Sequence, residues 1–414
     1  MTYSETLAAI HSRKAFSTGG PSLARIGRLM ARLGDPQEQL RAVHIAGTNG
    51  KGSISAMTAA ALQTSGYRVG LFTSPYLVEF RERIQVDGRP ISEETLISCY
   101  ETVMEQEEKL EQQGFEPVNE FELVTAMGFV AFSREKVDFA VLEVGLGGRT
   151  DPTNLISKPV VSCIAPISLD HTAILGDTVE KIAAEKAGII KPGCPVVLSQ
   201  QTEGARQMII ETAARLGAPA TETGVVEPVS QDKTGSRFRY DGELLEIPLL
   251  GAHQMDNAAT AWEVCRCLGL EKETVKQALK HVSWPGRLQY FPGCPELLID
   301  AGHNEAGVTS LCKALDQLFP GKRIISVVAM MRDKDFGCCI PMVAARSKVL
   351  IGTTVGLPRS LPPEKVAELA DCETHTAPNV EKGLALAKSL SGPKDLILVC
   401  GSVYAAGAAL QAIS

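Results

Sequence analysis

Seven consecutive residues, Gly47-Thr48-Asn49-Gly50-Lys51-Gly52-Ser53, are equipped to hold a phosphate. The apolar run Ala42-Val43-His44-Ile45-Ala46 precedes them, and the alanine-rich, helix-favouring stretch from Ile54 to Gln63 follows. A strand, a glycine turn and a helix N-terminus form an anion cradle: backbone N–H groups point at the phosphates, the helix dipole favours negative charge, and Lys51 adds a full positive charge. The spacing departs from the usual G-x-x-x-x-G-K-[ST], because Gly52 separates Lys51 from Ser53. An ordinary glycine-rich turn is the competing reading. Lysine and serine on a strand–turn–helix frame favour phosphate.

Ser53, Ser74, Glu143 and His171 sit at or just after the C-terminal ends of apolar strand-like runs, or in the first helical turn beyond. Ligands of open parallel sheets bind at that edge. Oxygen donors with one imidazole beside a phosphate cradle suit Mg²⁺, which keeps several waters and bridges phosphate oxygens. Taken singly, Ser74 before Pro75 reads as a turn former, His171 after Asp170 as a helix cap and Glu143 as a buried acceptor. Their convergence on one edge favours the metal. Lys186, in the last turn of a helix, reads by itself as a solvated cation matched to the helix dipole.

Strand-like and helix-like segments alternate nearly throughout, which predicts an α/β fold with mainly parallel strands. Phe139 to Val144 and Val160 to Ile167 read as buried strands, and Val69 to Phe72 and Val196 to Leu198 as shorter ones. Hairpins are expected around Asp87-Gly88 and Asp241-Gly242. Ser92 to Gln113 is a polar, glutamate-rich helix, and Phe121 to Phe132 an inward-packing one. Helical pattern gives way to turn residues near Trp284-Pro285-Gly286, and a fresh α/β cycle follows, with strands at 297–301, 323–328, 349–352 and 396–400. The expectation is a P-loop-type ATPase domain over 1–283 and a smaller Rossmann-like domain over 284–414.

At 414 residues two domains are expected. The net charge of −7 argues against a broad nucleic-acid-binding surface, so any anion must be held by local cations, helix N-termini or metal ions. No basic segment followed by an apolar core opens the chain, and no run reaches the apolar length of a membrane span, so the expected location is the cytoplasm, without membrane association. Eleven cysteines, with no C-x-x-C pair, read as reduced thiols that mostly fill cores.

Gly47 to Ser53, Thr73-Ser74-Pro75-Tyr76-Leu77, Leu142-Glu143-Val144-Gly145-Leu146-Gly147-Gly148-Arg149 and Leu169-Asp170-His171 closely resemble folylpolyglutamate synthase/dihydrofolate synthase, of the Mur ligase superfamily. Glu185-Lys186-Ala187-Gly188-Ile189, His253 to Ala259, Pro285-Gly286-Arg287 and Asp300-Ala301-Gly302-His303-Asn304 extend the match in family order. It runs from about Tyr3 to Gly401-Ser402-Val403-Tyr404 and so covers essentially the whole chain.

The resemblance implies ATP-dependent joining of L-glutamate to a folate or dihydropteroate carboxylate through an acyl phosphate, by a monomer. It assigns Gly47, Thr48, Asn49, Gly50, Lys51, Gly52 and Ser53 to the ATP phosphates. Ser74, Glu143 and His171 become magnesium ligands, and Lys186 an N-carboxylated lysine. Lys51, His171 and Lys186 would carry the catalysis. Asn257, Arg287, Asp300 and His303 match positions around the nucleotide, with Arg287 and the Asp300 segment contributed by the second domain. Phe121 and Thr150-Asp151-Pro152 match the pterin side, as does Leu23 to Ile26.

This sequence departs from the family at Tyr76, usually His, at Thr150-Asp151-Pro152, usually Leu-Asp-Ala, and at Ala301-Gly302, usually Gly-Ala. The first two bear on pterin specificity. A Mur-type amino-acid ligase acting on another carboxylate is an alternative; its nearest form, a peptidoglycan Mur ligase, would be expected to carry a further N-terminal domain for a uridine nucleotide sugar, for which 46 residues before Gly47 are too few. A nucleotide-binding paralogue without ligase activity would be expected to lack Glu143, His171 or Lys186, and all three are present. The Lys51-Gly52-Ser53 order fits a P-loop kinase less well.

Overall fold

The computed structural model describes residues 1–14 and 22–413. The chain divides into two compact units, one comprising Met1–Pro75, Phe80–Gly224 and Asn257–Leu279, the other Tyr76–Glu79, Val225–Asp256 and Lys280–Ser414.

The first unit is built on eight strands: β1 (Ala42–Ala46), β2 (Val69–Phe72), β3 (Ile84–Val86), β4 (Arg89–Pro90), β5 (Phe139–Glu143), β6 (Val161–Ile164), β7 (Val196–Leu198) and β8 (Ala220–Glu222). Their order across the sheet is β4-β3-β2-β5-β1-β6-β7-β8. β2, β5, β1, β6, β7 and β8 run parallel, and β3 and β4 form the antiparallel hairpin edge. Asp87 and Gly88 close that hairpin with positive φ, as an Asp-Gly turn requires. β1 and β5 lie side by side in the middle and are buried along their whole length. Parallel strands covered on both faces read as continuous apolar runs, which is why they were legible.

β6 ends at Ile164, short of the expected Ile167. Pro166 has no N–H to give a ladder, so the chain leaves the sheet there. His171 therefore lies seven residues beyond the strand, on a loop.

His44 lies in the middle of β1 with no exposed surface, and burial pushes its imidazole down to about 3. An unfolded histidine takes up its proton near 6.5. The stability gained by keeping His44 neutral is thus complete above pH 6.5 and drains away as pH falls toward 3, by at most about 1.4 kcal/mol per pH unit. Urea unfolding between pH 7 and pH 4.5 should show a steeper loss in the native chain than in His44→Leu. Parallel slopes would contradict this account of the ring.

The second unit holds two sheets. One is three-stranded, β9 (Glu227–Asp232), β10 (Gly235–Tyr240) and β11 (Glu243–Ile247), in the order β11-β10-β9. The hairpin of β10 and β11 is the expected one. β9 was not foreseen, because its sequence EPVSQD is exposed nearly throughout and carries no apolar alternation. The other sheet contains β12 (Gln289–Phe291), β13 (Glu296–Ile299), β14 (Ile324–Val328), β15 (Val349–Gly352), β16 (Glu373–Thr376) and β17 (Leu396–Cys400), ordered β12-β13-β17-β14-β15-β16. All neighbours but β12 are parallel. Apolar clusters cover this sheet, one around Leu298, Leu311, Val343 and Leu398, another around Ile299, Val327, Leu384 and Ala405.

All eleven cysteines are free thiols, and six are buried. Among the described residues no helix is long and apolar enough to cross a membrane.

Candidate nucleotide and acid site

The glycine loop leaves β1 at Ala46 and enters the helix Lys51–Thr64, which it caps with Gly50 at φ 83°. A side chain at Gly47 would put its Cβ 2.5 Å from that of Ala165, and one at Gly50 would run into the Asn257 amide oxygen. Asn257 thus lies against the loop it was expected to serve. The loop is pinned to the chain after β6: the Thr48 amide donates to the Pro166 carbonyl at 2.9 Å, and the Thr48 hydroxyl donates to the Ser168 carbonyl at 3.0 Å. Lys51 bends back so that its Nζ donates to the Thr48 carbonyl at 3.1 Å, with Glu143 Oε1 4.0 Å away. Ser53 is buried in the first turn of the helix.

Glu143 ends β5 as a buried carboxylate, and the Ser74 amide, just beyond β2, donates to its Oε2 at 3.4 Å. The structure therefore brings Lys51, Ser74 and Glu143 together. His171 is more exposed, with φ 50°, at the start of the short helix Thr172–Leu175; its amide donates to Asp170 Oδ1 at 2.8 Å. Among the described residues no group of three or more His, Cys, Asp or Glu is placed to hold a metal ion. A cation here would depend on hydroxyl, phosphate and water oxygens beside Glu143, the donor set that Mg²⁺ prefers. The hard oxygens present fit it.

After Glu143 the chain turns through Gly145, Leu146, Gly147 and Gly148. A Cβ on Gly145 would overlap the Phe121 ring, and one on Gly148 would lie 2.7 Å from the Glu185 carbonyl and 2.9 Å from that of Lys186. The Arg149 amide donates to the Glu185 carbonyl at 2.8 Å, and Asn154 Nδ2 donates to the carbonyls of Arg149 and Gly188 at 2.9 and 3.1 Å. These contacts strap the glycine turn to the end of the helix Val179–Lys186. Lys186 is consequently 4% exposed, and its Nζ donates to the Gly47 carbonyl at 2.8 Å. The solvated-cation reading fails here. Burial, and then the charge of Lys51, push the Lys186 amine down to about 7.

Thr150, Asp151 and Pro152 lead into the short helix Pro152–Leu155, which Asp151 caps by accepting from the Thr153 amide. Burial raises the Asp151 carboxyl above the usual range, and hydrogen bonds from Thr153, Leu146 and Gly145 oppose this. Phe121 opens the helix Glu120–Arg134, whose capping box pairs Asn119 with Glu122. Arg25 clamps Glu122 through two 2.8 Å bonds, so the helix carrying Leu23 to Ile26 is tied to the one carrying Phe121. Neither that clamp nor His44 was singled out from the sequence. The only signal for His44 was a polar residue in an otherwise apolar strand.

Arg287, Asp300 and His303 belong to the second unit. Asp300 accepts from the Leu288 amide at 2.9 Å and the Gly302 amide at 2.8 Å, and His303 Nδ1 lies 2.9 Å from the Ala301 carbonyl. A Cβ on Gly302 would stand 2.7 Å from Asp300 Oδ1. Glycine at this position keeps the carboxylate bonded to the backbone.

Two family models match the chain: the Mur ligase middle domain over residues 45–265 and the Mur ligase glutamate ligase domain over 286–403. Dihydrofolate synthase/folylpolyglutamate synthase of Bacillus subtilis is 34% identical, over 97% of this chain and 97% of that protein. Folylpolyglutamate synthase of Lacticaseibacillus casei is 37% identical, over 100% and 99%. The solved folylpolyglutamate synthase of Mycobacterium tuberculosis, complexed with ADP and AMPPCP, superimposes with a TM-score of 0.90 at 31% identity, covering 99% of this chain and 97% of that one.

Proposed function

The chain belongs to the Mur ligase family, in its folylpolyglutamate synthase/dihydrofolate synthase group, and on that premise we propose that it uses ATP to join L-glutamate to the carboxylate of a folate. The candidate acids are tetrahydrofolate, dihydropteroate or both; relatives named dihydrofolate synthase/folylpolyglutamate synthase and folylpolyglutamate synthase support this class of acid. The observation that carries this reading is a buried amine, a second cation and a buried carboxylate gathered on one phosphate loop: Lys186 on the Gly47 carbonyl, Lys51 on the Thr48 carbonyl, and Glu143 beside Lys51.

A carboxylate is a poor electrophile. In the proposed reaction its oxygen attacks the γ-phosphorus of ATP and ADP leaves, giving an acyl phosphate. The glutamate amine then attacks the acyl carbon, loses a proton, and phosphate departs as the amide forms. The protein supplies no nucleophile in this scheme, so its contribution is placement and charge. Lys51 lowers the repulsion between the acid and the triphosphate. The loop amides would fix the phosphates, with Asn257 beside them; Arg287, Asp300 and His303 keep the nucleotide role that the resemblance implies. Ser74 and Glu143 would hold Mg²⁺, with His171 as the further ligand that the resemblance implies; when bound, the ion draws charge from the phosphate oxygens. Phe121 and the Thr150-Asp151-Pro152 turn would receive the acid.

Lys186 has the properties an N-carboxylated lysine needs. With the amine pushed down to about 7, a sizeable share of it is neutral at physiological pH and can attack CO₂, forming a C–N bond and releasing a proton. The product is an anion, and it would replace the repulsion between Lys186 and Lys51 with attraction.

Purified protein with ATP, Mg²⁺ and glutamate, offered dihydropteroate or tetrahydrofolate in turn, tests the assignment. Glutamate-dependent phosphate release is expected with at least one of them. None with either would remove the folate reading.

A further inference from the structure

We propose that His44 is a positioning residue for the acid pocket: it acts through Thr153 on Asp151, and Asp151 holds the backbone turn that follows Glu143. The groups form one buried series. His44 Nε2 lies 2.8 Å from the Thr153 hydroxyl, which lies 2.5 Å from Asp151 Oδ1; the Thr153 amide reaches the same oxygen at 3.0 Å. Asp151 Oδ2 accepts from the Leu146 amide at 2.8 Å. His44, Thr153 and Asp151 are 0%, 0% and 3% exposed.

The direction of the series follows from proton counting. A hydroxyl has one hydrogen, and Thr153 gives it to the carboxylate, so the imidazole must donate through Nε2. His44 is then the neutral Nε2–H tautomer, and its Nδ1 is an acceptor with no partner among the described residues. An orphaned buried acceptor is destabilising, because it has given up its water and gained no donor. An apolar side chain in the same strand would escape that cost, so packing does not account for histidine here. What the ring supplies is a donor at a fixed point, aimed at the threonine that orients Asp151.

The far end of the series is the turn on which the acid is expected to rest. Leu146, held by Asp151, follows Gly145, and Gly145 carries the Phe121 ring where a Cβ would otherwise stand. With the His44 bond removed, the Thr153 hydroxyl loses its second partner and can rotate. Asp151 Oδ1 is then held by the Thr153 amide with a hydroxyl bond that no longer has a fixed direction. The effect falls on the Gly145–Leu146 turn and on Thr150 to Pro152, while the phosphate loop keeps its own bonds to Pro166 and Ser168. This inference rests on reading Phe121 and residues 150–152 as the acid pocket.

The test is steady-state kinetics of His44→Leu, His44→Gln and Thr153→Val beside the native chain, with the acid and ATP varied separately. His44→Leu should raise the KM for the acid about tenfold, with the KM for ATP within about twofold of native. Glutamine can place an amide N–H near the position of Nε2, so His44→Gln should recover most of the loss. Thr153→Val should match His44→Leu, and the double variant should be no worse than either single one. Should His44→Leu fail to fold, the contrast between His44→Gln and Thr153→Val decides. Equal rises in both KM values, additive losses in the double variant, or no recovery with glutamine would overturn the inference. A native chain inactive with every folate acid would sink the proposed function and, with it, the inference that rests on it, an outcome distinct from those that overturn the inference alone.

Discussion

Lys186→Ala should lower turnover by at least about 10³-fold, in the range expected when a charged group that orders the transition state is lost. The side chain is buried on the Gly47 carbonyl, so its removal opens a space beside the phosphate loop rather than at the surface. Two further measurements separate a carbamate from a plain cation. Protein held in CO₂-depleted buffer should lose activity and regain it on addition of bicarbonate. At a fixed concentration of dissolved CO₂ the reactivation should become faster as pH rises through about 7, because only the neutral amine reacts and burial and Lys51 push this amine down to about 7. An ordinary lysine, near 10.4, would be protonated throughout that window. A small carboxylate such as acetate, added to Lys186→Ala, should restore part of the rate by supplying the missing anion. Indifference to CO₂ together with no response to acetate would reject the carbamate and leave Lys186 as a structural clamp.

Lys51→Met should be nearly as damaging, with kcat lowered about 10²- to 10³-fold. Methionine keeps much of the volume, so the loss reports charge. The substitution withdraws the cation 4.0 Å from Glu143 and the positive charge expected at the phosphates. It also leaves a second mark. Lys51 is one of the two main influences holding the Lys186 amine low, so its removal should raise the pH at which CO₂ reactivates the protein. An unchanged reactivation profile would show that the two amines do not sense each other, against the geometry described here.

The glycine loop was legible because its strand, turn and helix follow one another in the chain. Gly47 and Gly50 are required by close neighbours, and the strand and helix around them have plain composition. Glu143 was legible for the same reason, as the carboxylate that closes a buried strand. Lys186 was not. Its helix ends as any surface helix with a C-terminal lysine would, and its burial comes from Gly148, Arg149 and Asn154 strapping a distant turn over it. His171 kept its identity but changed its setting, since Pro166 ends β6 early and leaves it on a loop. β9 was invisible because an exposed edge strand has no buried face to write an alternating pattern. The series from His44 to Asp151 spans more than a hundred residues, and residue spacing alone carries no signal of it.

The central claim is that this loop and its buried charges activate a carboxylate by phosphorylating it. Folate acid labelled with ¹⁸O in the reacting carboxyl group, turned over with ATP and glutamate, decides the matter. Attack on the γ-phosphate predicts one ¹⁸O transferred to each inorganic phosphate released, with ADP as the nucleotide product. Unlabelled phosphate, or AMP carrying the label, would contradict it.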